Sequence, residues 1–137
     1  MIDKTSLITP IFIKRNRTFS LPLAVSSHTE FVISSDEDST PCLSIQSYAE
    51  WKEEKLTEAE GYRDFPVAYQ EILDSLNNIP ENFIKLDKDR EFSFSVDMRK
   101  KSKLSKDALI IGSGDSFLII DGKTYKEEYN PMWFSVM

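Results

Sequence analysis

Leu86-Asp87-Lys88-Asp89-Arg90-Glu91-Phe92-Ser93-Phe94-Ser95-Val96 has an earlier counterpart, Ile13-Lys14-Arg15-Asn16-Arg17-Thr18-Phe19-Ser20-Leu21-Pro22-Leu23. In each, an apolar residue opens a four-residue polar turn that ends in arginine, Arg17 or Arg90. An apolar/serine alternation of period two follows, the pattern of a strand with one buried face. The turn is expected to be displayed and the strand anchored.

The correspondence extends outward from these two stretches. Phe31-Val32-Ile33, the acidic run Asp36-Glu37-Asp38 and Cys42-Leu43-Ser44-Ile45 are answered by Ala108-Leu109-Ile110-Ile111, Gly112-Ser113-Gly114-Asp115 and Phe117-Leu118-Ile119-Ile120. Each series then reaches a capping-box spelling, Ser47-Tyr48-Ala49-Glu50 and Thr124-Tyr125-Lys126-Glu127, which predicts a helix start. The chain therefore reads as a tandem duplication of about 75 residues, each unit running turn, strand, short helix, hairpin and helix. A first unit is expected over 5–61, a helical connection over 62–81, a second unit over 82–130 and an apolar tail over 131–137.

At 137 residues, two independent cores of about 65 residues each would be marginal, so the units are expected to share one. The fold class expected is mainly β with helices (α+β). Pro10 within residues 5–13 confines the first strand to an edge or a bulge. Pro22 opens a short helical turn through Ser26. Strands are expected at 30–34 and 42–46, joined by an acidic loop. A helix is predicted from Ser47 to about Gly61 and a second from about Val67 to Asn77, with Val67, Tyr69, Ile72, Leu73 and Leu76 at helical spacing. The last helix is predicted from Thr124 to Tyr129. Met132-Trp133-Phe134-Ser135-Val136-Met137 is unusually apolar for a tail and suits docking on this chain's own core or on a neighbouring subunit.

Net charge is -6 and the isoelectric point about 4.8, which argues against indiscriminate binding of nucleic acid or anionic membrane by the whole surface. Charge is uneven, however. Lys14, Arg15 and Arg17 fill the first turn, Arg99 to Lys106 is basic, and acids gather at 36–38 and 50–60. One cysteine, Cys42, excludes an intrachain disulfide, and with His28 as the one histidine there are too few soft ligands for a zinc site. No cofactor, metal site or enzymatic activity is expected. Neither an apolar leader nor a run of about 18 apolar residues is present, so a cytoplasmic protein that does not enter membranes is expected.

Other features read more simply as structure. Gly112-Ser113-Gly114-Asp115 is flanked by strands, so a hairpin turn outweighs a phosphate loop. Cys42 alternates within a strand as a small core residue. Tyr48, Trp51, Phe83, Phe92 and Phe94 suit core packing better than base stacking, and Arg99 to Lys106 suits a helix end and loop better than a phosphate site.

The run Pro41 to Ile45 with Trp51 and Leu56, then Leu86 to Val96, Lys103 to Gly112 and Phe117 to Tyr125, resembles the MraZ family over nearly all of the chain. The resemblance implies AbrB-like swapped-hairpin units forming a double-split β-barrel, chains joined into a homo-oligomeric ring, and transcriptional regulation through double-stranded DNA repeats in promoters. In that family an Asp-x-x-x-Arg turn touches DNA. Here the first copy has Lys14 and Thr18 at those positions, and the second has Asp87 and Glu91. Arginines 17 and 90 stand one position earlier. The residues expected at the DNA are Lys14, Arg15, Arg17, Asp87, Lys88 and Arg90. The alternative is a ring that has lost DNA and serves assembly; antitoxin action is a weaker third reading.

Overall fold

Alternation in Phe19-Ser20-Leu21 and Phe92-Ser93-Phe94 buries the outer two residues of each triplet and exposes the serine. The first two residues of each triplet lie on paired strands in a computed structural model that describes residues 7–36, 41–80 and 82–129. In chain order the elements are β1 (Ile8–Phe12), β2 (Thr18–Ser20), β3 (Glu30–Asp36), β4 (Cys42–Ser47), α1 (Tyr48–Gly61) and α2 (Pro66–Ser75). They continue with β5 (Phe83–Lys85), β6 (Glu91–Ser93), α3 (Val96–Ser102), β7 (Asp107–Ser113), β8 (Ser116–Asp121) and α4 (Gly122–Tyr129). The architecture is α+β: a six-stranded sheet in the order β1-β7-β8-β4-β3-β5, and a two-stranded ribbon of β2 and β6. Every pairing among the described strands is antiparallel. The expected acidic tip at 37–38 and the segment 131–137 lie outside the described residues.

Strand exchange between the two halves is reciprocal. In the ribbon Phe19 stands opposite Phe92. β1 pairs with β7 of the later hairpin, while β5 pairs with β3 of the earlier one. Where the hairpins meet, Leu43 faces Ile119 and Ile45 faces Phe117 on either side of Ser44 and Leu118. Single hydrogen bonds repeat the exchange, with Ile13 N donating to Lys106 O at 2.8 Å and Leu86 N to Thr29 O at 2.7 Å. Each half thus supplies the strand that completes the other, and one core forms between them, with Phe19, Phe31, Ile45, Phe92, Ile110 and Ile119 nearly inaccessible.

Pro10 sits in β1, at the sheet edge, where its missing N–H costs no ladder bond on the outer side. Cys42 is buried with Ile111 and Ile120 in a smaller cluster on the other sheet face, against which Tyr125 of α4 packs. Pro22 accepts from Val25 N at 2.9 Å and Ser26 N at 3.3 Å, closing a single turn where the second half has the seven-residue α3. Gly112 has φ +106 at the β7–β8 hairpin, and a side chain there would crowd Ser116 O and Phe117.

The helix starts follow their caps. Ser47 Oγ accepts from Glu50 N at 3.2 Å, but the reciprocal arm of the expected box is absent, because Ser47 N donates to Asp115 O at 2.6 Å. Ser47 Oγ also donates to Asp115 Oδ1 at 3.0 Å, and the residue is fully buried. Ser47→Ala removes the cap and that carboxylate contact together, so a loss of about 1–2 kcal/mol is expected in urea denaturation. A loss near zero would show that the cap is not needed. α2 starts at Pro66, one residue earlier than periodicity predicts, because proline is favoured at the first helical position. It has no fully buried residue: Ile72 and Leu73 are half-buried and Val67 is exposed.

The last helix corrects the Thr124 reading. It begins at Gly122, with Asp121 Oδ2 accepting from Lys123 N at 3.3 Å and Asp121 Oδ1 from Ser105 N at 2.9 Å. Asp121 is held in place by the α3–β7 connection, so it outcompetes a threonine three residues on.

Candidate nucleic-acid interface

Each turn closes on its arginine. Arg17 N donates to Lys14 O at 2.9 Å and Arg90 N to Asp87 O at 3.0 Å. Asp87 Oδ1 adds a second tie in its turn by accepting from Asp89 N at 2.9 Å. Arg17 and Arg90 take φ of +64° and +56°, a left-handed backbone that costs a side-chain-bearing residue roughly 1–2 kcal/mol.

Their side chains offset that cost, each toward the opposite half. Arg17 Nε donates to Phe94 O at 3.2 Å, and Arg90 Nε to Leu21 O at 3.2 Å, the reciprocal bond. Arg90 goes further, its Nη2 donating to Ser26 O at 2.5 Å and His28 O at 3.2 Å. Both arginines are half-buried. They brace the strand exchange, where the sequence pattern suggested arginine-tipped corners. The residues displayed on the turns are Lys14, Arg15 and Asn16, and Asp87, Lys88 and Asp89.

The two turns differ in their surroundings. Lys14 follows Ile13, whose amide is bonded to Lys106 O, so the basic end of the α3–β7 connection lies against the first turn. Lys14, Arg15 and Lys106 are all exposed there. Lys14 Nζ is 3.1 Å from Glu91 Oε1, but an exposed pair contributes only about 0–1 kcal/mol and can open to another anion. The second turn lies against the Ser26–Thr29 loop, through Leu86 N and Arg90. Its displayed charges are two acids against one lysine. The basic surface therefore belongs to the first turn. Lys106 joins it through strand exchange, and its sequence signal is the basic run from Arg99.

Other polar groupings resolve into structure. His28 Nε2 lies 2.7 Å from Asp115 Oδ1, the same oxygen that takes the Ser47 hydroxyl. A nucleophilic relay needs histidine between serine and acid; here the acid stands between them and the serine is buried in a helix cap. Gly114 N donates inward to Val25 O at 2.7 Å, so it is not presented to a phosphate. Tyr48 stacks on Trp51 at 5.7 Å and meets Phe83 edge-on at 5.0 Å, packing α1 against β5. Phe92 and Phe94 are in the core. Among the described residues no helix is long and apolar enough to cross a membrane. Neither the protein-family models nor the curated proteins contain a match for this chain.

Proposed function

We propose that the chain is an MraZ-like transcriptional regulator, a homo-oligomer whose subunits together bind double-stranded promoter DNA through their first turns. In this reading the sheet and ribbon are the two parts of an AbrB-like double-split barrel made from tandem swapped-hairpin units. The protein works in the cytoplasm and without a cofactor. The observation that carries the reading is the Ile13–Lys106 bond, which gathers Lys14, Arg15 and Lys106 from both halves at one exposed corner of an acidic chain. Three cations bind DNA weakly, but repetition around a ring multiplies them whenever their spacing matches the repeats.

Specificity would differ from that of a turn ending in a displayed arginine, since Thr18 and Glu91 stand at those positions and neither can make the bidentate guanine contact. Contacts from lysine and Arg15 to phosphate then supply affinity, and promoter shape and repeat spacing supply selection. The test is retention of the DNA upstream of the protein's own gene at graded salt. Arg15→Ala combined with Lys106→Ala should weaken retention and lower the log–log salt slope by roughly 2 per subunit engaged. An unchanged slope would remove both residues from the interface.

A second reading is favoured by a specific observation. Arg90 is committed to carbonyls, and Lys14 is paired with Glu91, which lowers the charge available to DNA. On that reading the chain is an assembly module that keeps the ring and lacks DNA. Rings in light scattering with no retention of any upstream fragment at low salt would establish it against the first.

A further inference from the structure

Among the described residues three with side chains take a left-handed backbone, and all are cations: Arg17, Arg90 and Lys103, the last at φ +57°. The two arginines recover the cost through bonds to carbonyls of the opposite half. Lys103 does not. It closes α3, where its own N–H donates to Lys100 O at 3.2 Å and Leu104 N donates to Arg99 O at 3.2 Å. Glycine ordinarily fills this place, because the residue after the last helical turn must be left-handed for both bonds to form. The Lys103 side chain is exposed and makes no hydrogen bond or ion pair among the described residues. Positive charge favours a helix C-terminus, but Arg99, Lys100 and Lys101 already supply it. Glycine at 103 would therefore serve the helix better, and a strained position that the fold does not repay points to a use outside the fold.

We propose that Lys103 and Lys100 bind phosphates of the duplex held by the first turn, carrying its backbone from that turn onto the end of α3. The inference rests on the DNA reading above. Lys103 precedes Lys106 by three residues, a separation of at most about 10 Å, and Lys106 is the residue that Ile13 N ties to the first turn. Buried Leu104 fixes the chain between them. Lys100 is exposed and likewise has no side-chain partner among the described residues, and three residues apart on a helix end it neighbours Lys103. The other cations of the run are engaged, Arg99 Nε with Leu104 O at 3.2 Å and Lys101 Nζ with Asp97 Oδ2 at 3.3 Å. The acids near the track are also accounted for. Asp97 takes Lys101, Glu91 takes Lys14, and Asp107 lines the groove between β1 and α4. Arg15, Lys106, Lys103 and Lys100 are thus exposed cations without an ion pair among the described residues, in a chain of net charge -6.

Lys103→Gly in the full chain gives two readouts that a purely structural lysine would not move in opposite directions. The urea midpoint should rise, because glycine accepts the positive φ without strain. Retention of the DNA upstream of the protein's own gene should fall severalfold at fixed low salt, with the log–log salt slope lowered by about 1 per subunit engaged, or about 2 when Lys100→Gln is added. Lys103→Arg should keep the parent's retention. Lys52→Gln is the control of equal charge change, since α1 lies over the sheet face that carries Ser44 and Gln46, away from the core into which Met98 of α3 packs. Lys103→Gly with the parent's affinity and slope, or a loss no larger than that of Lys52→Gln, overturns the proposal. If Arg15→Ala with Lys106→Ala still lowers the slope in that case, the first turn keeps its DNA and the extension alone falls. A parent that no duplex retains at low salt removes both. Sedimentation with phosphatidylglycerol vesicles in place of duplex retention would assign these lysines to a lipid surface and overturn the proposal as well.

Discussion

Phe92→Ala is expected to cost about 3–5 kcal/mol, enough to leave a marginally stable domain of this size largely unfolded near 37 °C. Phe92 is fully buried and stacks on Phe19 at 5.4 Å with an interplanar angle of 14°. It also meets Phe31 at 5.5 Å, and Phe31 meets Phe117 at 5.8 Å. The aromatic chain Phe19–Phe92–Phe31–Phe117 crosses from one half to the other three times. Deleting its second ring leaves a cavity bounded by residues that cannot collapse without separating β2 from β6. Phe65→Ala serves as the control, because Phe65 is 62% exposed and its loss should stay within about 0.5 kcal/mol. Equilibrium urea denaturation reads both. One transition is expected, since each half completes the other's sheet and neither can melt alone. A loss under about 1 kcal/mol for Phe92→Ala, or two separate transitions, would show that the halves are stable independently.

The parts of this molecule that the sequence announces are those set by local pattern. Alternation in Phe19-Ser20-Leu21 and Phe92-Ser93-Phe94 marks two strands because a period of two puts one face in the core. Pro10 marks an edge, and Ser47 marks a helix start, for reasons confined to a few neighbouring residues. What depends on which strands exchange is not visible at that range. Lys106 reaches the first turn through a backbone bond to Ile13, a partner far away in the chain. Arg90 turns inward because Leu21, Ser26 and His28 offer carbonyls that only the folded first half places there. A clue was available: arginine, rather than glycine or asparagine, ends a tight turn at both Arg17 and Arg90. A left-handed position taken by a costly residue implies that its side chain returns the energy. Asp121 was hidden for a different reason, since it ends a strand and caps a helix at once, and the strand pattern is the louder of the two.

Arg90→Ala separates bracing from DNA contact. The substitution removes three bonds from a charged donor to the carbonyls of the buried Leu21 and Ser26 and the half-buried His28. Bonds to a charged group contribute about 1.5–3 kcal/mol each when isolated, but three on one half-exposed guanidinium are not additive, so about 3 kcal/mol in total is expected. Arg17→Ala, with one such bond, should cost about 1.5 kcal/mol, the low end of that range for a partly exposed group. Glycine at position 90 should be milder than alanine by about 1 kcal/mol, because it relieves the positive φ that alanine keeps. Lysine should rescue little, since one ammonium on a flexible stem cannot replace a fork spanning Leu21 O and His28 O. Urea midpoints give this ranking, and DNA retention measured where every variant remains folded gives the second axis. Bracing predicts that Arg90→Ala loses stability and keeps its salt slope, while Arg15→Ala with Lys106→Ala keeps stability and loses slope. The opposite pattern would return Arg90 to the interface and leave the exposed lysines as bystanders.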